Sequence, residues 1–201
     1  MMVLPIDEIN SFESYYGEMA ISKEQKEWRI RIAESFLDNL LFLFAYAKRK
    51  PGKGELEAKL KTALIALIPS EFKRDGVVTD PYMKEHIALF VTSVIATTMR
   101  CIDSEYYTSY DRAWHLAADE GNILGNYSVY TDAVKAGKTK KTWLTMKDER
   151  VRETHIAVDD TTIPINDYFL VGSSWMRFPL DQSLGASPSE IIRCRCTVSY
   201  S

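Results

Sequence analysis

From Lys23 to Lys50, apolar residues recur at Trp28, Ile32, Phe36, Leu40 and Phe44, with Ala33, Leu37 and Leu41 widening the stripe. Spacing of three and four residues predicts a long amphipathic helix that turns one face to a core. Lys48, Arg49 and Lys50 suit the negative end of its dipole, and Pro51-Gly52 stops it. The stretch from Leu56 to Ile68 repeats the pattern and ends at Pro69. Asp80-Pro81 has the form of an N-cap with proline at the first helical position, opening a third helix that faces inward with Met83, Ile87, Phe90, Val91, Val94 and Ile95. A fourth helix is expected from Asp103 or Ser104 through Asp119.

Beyond Gly137 the pattern changes to short β-prone runs separated by turn residues: Lys141 to Met146, His155 to Val158, Thr162 to Ile165, Tyr168 to Val171 and Cys194 to Tyr200. Ser187-Pro188-Ser189-Glu190 reads as a capping box, so a short helix should precede the last strand. The expected fold class is α+β. An N-terminal helical bundle (1–118) is followed by a small C-terminal α+β module (119–201) with a short antiparallel sheet.

A chain of 201 residues is long enough to bury a core without staples. Its net charge of −3 argues against a surface that coats nucleic acid throughout. Three cysteines do not make a disulfide framework, and the N-terminus lacks the basic and apolar regions of a secretory signal, so a reducing compartment is expected. The most apolar runs, Phe36 to Ala47 and Ile87 to Met99, are too short to cross a bilayer and read as buried helices.

Two constellations carry candidate chemistry. On an extended strand, Cys194-x-Cys196 would place both thiols on one face and Arg193 and Arg195 on the other. Two soft ligands so placed could share a zinc ion, with His155 and either Asp148 or Asp159 completing the set. The bland alternative is a pair of small buried hydrophobes on a central strand. A disulfide between them is disfavoured by the separation of alternate strand residues, and Cys101 reads as helix core. The second constellation is Asp148, Arg150, Arg152 and His155, which could act as an acid–base set. It reads better as structure, with Thr145-x-x-Asp148 starting a helix and Asp148 paired to Arg152. His86 and His115 read as surface or packing residues. Lys135, Lys138, Lys140 and Lys141 form a basic segment that could touch phosphate backbones non-specifically.

Taken in order, Glu120 and Asn122, Lys141-x-Trp143, Asp148-x-Arg150-x-Arg152-x-x-His155, the turn at Asp159-Asp160, Pro179-x-Asp181 and Cys194-Arg195-Cys196 resemble the C-terminal domain of phage head morphogenesis proteins, the minor head proteins similar to protein F of phage Mu. The resemblance runs from about Asp119 to Ser201. In that pattern glycine is usual where Asp160 and Leu180 stand, and asparagine is common where Arg193 stands; glycine at the first two places would serve turns with positive φ. The resemblance implies a non-enzymatic component of the head interior, made in the host cytoplasm and taken into the procapsid. Its implied partners are the portal protein and the major capsid or scaffolding protein, with a role in head assembly or in DNA packaging or delivery and no membrane partner. The competing reading is a metal-dependent nuclease or toxin-like effector carried in the head. No nucleophile motif, glycine-rich phosphate loop or paired-histidine signature supports it.

Overall fold

The computed structural model describes residues 11–74 and 77–201; the expectation about a secretory signal concerns residues 1–10, which lie outside them. In chain order the elements are α1 (Phe12–Gly17), α2 (Lys23–Ala47), α3 (Lys53–Leu67), β1 (Lys73–Arg74), β2 (Val77–Val78), α4 (Pro81–Arg100), α5 (Tyr110–Lys135), β3 (Lys140–Leu144), α6 (Glu153–Ile156), β4 (Thr162–Pro164), β5 (Phe169–Val171), β6 (Ser174–Met176), α7 (Pro188–Ile191) and β7 (Thr197–Tyr200). The fold is α+β. Among the described residues no helix is long and apolar enough to cross a membrane.

Contacts divide the chain into two compact units. The first, residues 34–117, is helical apart from the short β1–β2 pair. Phe36, Leu40 and Phe44 of α2, Leu56, Leu60 and Leu64 of α3, and Met83, Ile87, Val91, Val94 and Ile95 of α4 supply its core. The start of α4 follows the sequence: the Asp80 carboxylate accepts from the Met83 amide at 2.9 Å, with Pro81 in the first turn. Buried Arg112 donates to Thr98 Oγ1 at 2.8 Å and to the Tyr107 carbonyl at 2.6 Å, and lies over the Phe44 ring.

The second unit joins the described residues up to Ala33 to Ala118–Ser201, which differs from a division at 118/119 alone. The reason is buried hydrogen bonding. Tyr16 donates to the Ala118 carbonyl at 2.6 Å, and Arg29 reaches Asn122 and Asn126 of α5. Helix α5 also continues sixteen residues past its expected end at Asp119. Gly121 and Gly125 weaken the local helical signal, but they are where α2 comes close: a Cβ at Gly121 would stand 2.8 Å from the Arg29 carbonyl.

Strand β3 is central in an antiparallel sheet of order β4-β3-β7, with Trp143 opposite Val198 and Thr142 opposite Thr162. Strands β5 and β6 form a separate hairpin. Two of the expected strands differ. The run beginning at His155 is the one-turn helix α6, and only Thr197–Tyr200 of the last run is a strand. Cys194 to Cys196 form an irregular segment entered through Arg193 at φ 57°.

Candidate functional site

Helix α6 presents a fully buried His155 to the cysteine segment, its Nδ1 3.4 Å from Cys196 Sγ and 3.6 Å from Cys194 Sγ. These three donor atoms lie within 4.8 Å of one another. On the opposite edge of the ring, His155 Nε2 stands 3.2 Å from Glu190 Oε2. Glu190 sits on α7, whose N-cap Ser187 accepts from the Ser189 amide. The return arm of the expected capping box is not made: the Ser187 amide donates to Ser174 Oγ, and the Glu190 carboxylate accepts from Thr154 Oγ1 at 2.7 Å. The buried Trp143 ring meets His155 edge-on at 5.7 Å between centroids.

The cysteine backbone is held from α5. Asn122 Nδ2 donates to the carbonyls of Cys194 at 3.0 Å and Cys196 at 3.2 Å. Asn126 Nδ2 donates to those of Pro179 at 3.2 Å and Cys196 at 3.3 Å. Both amide oxygens accept from Arg29, so a buried guanidinium supports the clamp; burial lowers its pKa to about 10. Nothing in hydrophobic periodicity marks this network. A visible signal was the pairing of Gly121-Asn122 with Gly125-Asn126, one helical turn apart on one face. Glu190 was visible only as a capping residue.

The remaining sequence candidates fall into separate groups. Asp148 does not join the donor set, nor does it start a helix or pair with Arg152. Its carboxylate accepts from Arg195 at 2.7 and 2.9 Å and from Arg150 at 3.0 Å. Although burial opposes it, those bonds hold Asp148 below the ordinary carboxylate range. Arg152 donates to the Ile192 carbonyl. Asp159 accepts from the Thr145 amide at 2.8 Å, which commits it to a turn and not to the cysteines. Asp181, fully buried, accepts from the amides of Arg177 and Ser183, each at 3.0 Å, and fixes the turn that contains Pro179. The acid–base set is thus dispersed: Asp148 and Arg150 form an ion cluster, while His155 turns to the thiols.

Of the four lysines, Lys135, Lys138 and Lys140 are exposed and Lys141 is not. Lys141 Nζ donates to the Arg177 carbonyl at 2.7 Å beneath the rings of Tyr130 and Phe169. Burial, with Arg177 nearby, lowers its pKa to about 8. It is a core residue because β3 alternates, which places Lys141 and Trp143 on the same inward face. Cys101 is half-buried at the end of α4, and His86 is buried against the Tyr82 ring.

Burial, together with the neighbouring Cys196, pushes the Cys194 thiol well above its usual pKa, while His155 opposes the shift. A cavity of about 20 Å³ adjoins the donor atoms, lined in part by Met146, Arg150, Arg152 and Arg193. It has room for a water molecule and not for a nucleotide or a peptide.

Residues 91–199 match the family model described as Phage Mu protein F like protein. The matched span includes all of the Asn122, His155 and Cys194–Cys196 framework. No curated protein and no solved structure matches the chain.

Proposed function

The chain belongs to the Phage Mu protein F like family, whose members are phage head-associated proteins, and on that premise we propose that it is a minor head protein acting through protein contacts during head morphogenesis. The family match over more than half of the chain carries this reading. Its partners on this proposal are the portal protein and the major capsid or scaffolding protein, and its place is the head interior after assembly in the host cytoplasm.

Two physical features support the proposal. His155, Cys194 and Cys196 are all at most 3% exposed, so the chemically capable side chains are closed off from a macromolecular substrate. A nuclease or toxin-like effector needs an open cleft over such a set. The helical unit, by contrast, exposes apolar side chains: Phe42 is 66% exposed beside a cavity of about 410 Å³ between α2 and α3. Exposed apolar surface of this kind suits protein partners. Lys135, Lys138 and Lys140 could add non-specific contact with packaged DNA, which would weaken as salt rises.

The test is deletion of the gene from the phage, followed by complementation. Particles lacking the chain should show altered composition or reduced infectivity, restored by the wild-type gene. Unchanged particles and infectivity in the deletion strain would contradict a role in the head.

A further inference from the structure

We propose that His155, Cys194 and Cys196 bind one zinc-class cation, that Glu190 orients His155 for it, and that a water molecule in the adjoining small cavity takes the fourth position. The two nitrogen–sulfur distances match edges of a tetrahedral site. With Zn–S near 2.3 Å and Zn–N near 2.0–2.1 Å, tetrahedral geometry puts nitrogen and sulfur ligands about 3.5–3.6 Å apart. His155 Nδ1 stands 3.4 and 3.6 Å from the two sulfurs. Ordinary packing of a buried imidazole does not require both thiols to converge on the same ring nitrogen.

The other side of the ring supplies a second and independent observation. A histidine that ligates through one nitrogen commonly donates its other N–H to a carboxylate, which fixes the tautomer and the ring plane. Glu190 Oε2 lies 3.2 Å from Nε2, close enough for this role although the N–H is not aligned on it as a hydrogen bond, and is itself held by Thr154 Oγ1. With the proton on Nε2, the Nδ1 lone pair points to the sulfurs. Gly172 makes room for this carboxylate, since a Cβ there would stand 2.7 Å from Glu190 Oε1.

Charge also favours the assignment. Binding displaces one proton from each thiol to solvent, and two thiolates then neutralise one divalent ion. The water-sized cavity of about 20 Å³ reaches the same three donors, so a fourth ligand fits without opening the core. Exclusion of anything larger makes this a structural ion. Three protein ligands and a water would otherwise resemble a catalytic centre.

The experiment uses the full chain, purified reduced and without chelator. Elemental analysis should find about one zinc per chain. Cobalt added to the stripped protein should give a thiolate-to-cobalt charge-transfer band together with intense tetrahedral d–d bands. Cys101→Ala should leave the bands unchanged, and Cys194→Ser or Cys196→Ser should remove or strongly weaken the charge-transfer band. Glu190→Gln should keep them while lowering zinc affinity about 10–100-fold in chelator competition. Should either serine variant fail to fold, thiol labelling of the wild type decides: chelator should expose two cysteines that zinc protects. A folded, fully reduced chain that takes up neither zinc nor cobalt overturns the site. Unchanged affinity in Glu190→Gln overturns the orienting role. Both outcomes are independent of whether the protein is found in phage heads.

Discussion

Gly125 of α5 lies so close to Arg29 of α2 that a Cβ at Gly125 would stand 2.4 Å from the Arg29 guanidinium carbon. The contact begins a chain of buried hydrogen bonds that runs from Arg29 through Asn122 and Asn126 to the carbonyls of Cys194 and Cys196. The glycine allows the guanidinium to reach both amides, and the amides fix the backbone that carries the thiols. Gly125→Ala should therefore destabilise the protein by about 1–3 kcal/mol, the usual range for overpacking. Gly121→Ala should cost at least as much, because the atom 2.8 Å from its added Cβ is the Arg29 backbone carbonyl. Gly54→Ala, with no atom within 4 Å of an added Cβ, is the control and should be neutral or stabilising by up to about 1 kcal/mol. Chemical denaturation of the three variants measures the contrast.

Removing the clamp should act differently from crowding it. Asn122→Ala leaves the buried Cys194 carbonyl without its amide donor, while that of Cys196 keeps Asn126, and should cost about 1–3 kcal/mol. It should also raise the reactivity of Cys194 and Cys196 toward a thiol reagent under native conditions. Loss of stability with no change in labelling would mean that the amide does not position the cysteines.

The turns offer a test in the stabilising direction. Asp160, Leu180 and Arg193 have φ values of 57°, 67° and 57°, a region that costs a side-chain-bearing residue about 1–2 kcal/mol. Arg193 is exposed, and its amide donates to Asp119 at 3.0 Å, a bond that glycine keeps. Arg193→Gly should stabilise by about 1 kcal/mol and raise Tm by roughly 2–4 °C. Leu180→Gly should do the reverse, because Leu180 is fully buried and loss of a buried leucine side chain costs about 2–5 kcal/mol.

Asp119 should leave a signature in the pH dependence of stability. Burial raises its pKa to about 7, despite amide bonds from Arg193 and the Tyr15 hydroxyl that act the other way. A carboxyl whose folded-state pKa exceeds the unfolded value of about 4 favours the fold while protonated. Its contribution is present below about pH 4 and is lost as the pH rises through about 7. Asp148, held low by Arg195 and Arg150, contributes in the opposite sense and loses its contribution only in stronger acid. The difference between wild type and Asp119→Asn isolates the first effect: denaturation midpoints measured from pH 4 to 8 should fall relative to the variant as pH rises. A constant difference would contradict the raised pKa.

Several parts of this structure were legible in the sequence because they depend on neighbours along the chain. The stripe from Trp28 to Phe44 gave α2, Asp80-Pro81 marked the start of α4, and β-prone runs between turn residues placed β3, β4 and β5 to within a residue or two. The positive φ values at Asp160 and Leu180 accord with the family resemblance, in which glycine is usual at both places, and not with anything Asp160 or Leu180 signals by itself. Distant contacts were not legible. His155 sits in a four-residue helix, too short for a helical period to appear, and its β-prone neighbours resemble a strand. Helix α5 extends past two glycines because α2 packs there, a fact held in Tyr16 and Arg29 a hundred residues away. The thiols do share a side with His155, but the left-handed turn at Arg193 and the Asn122 bonds bring this about, not strand alternation. Glu190 was hidden by a second role, as the acidic residue of an apparent capping box.

The role in the phage head is tested most directly by quantitative mass spectrometry of purified procapsids and mature particles. The chain should be present in both at a fixed low ratio to the portal protein, and it should be absent from particles made by the deletion strain. Abundant protein in the lysate with none in either particle would contradict the assignment.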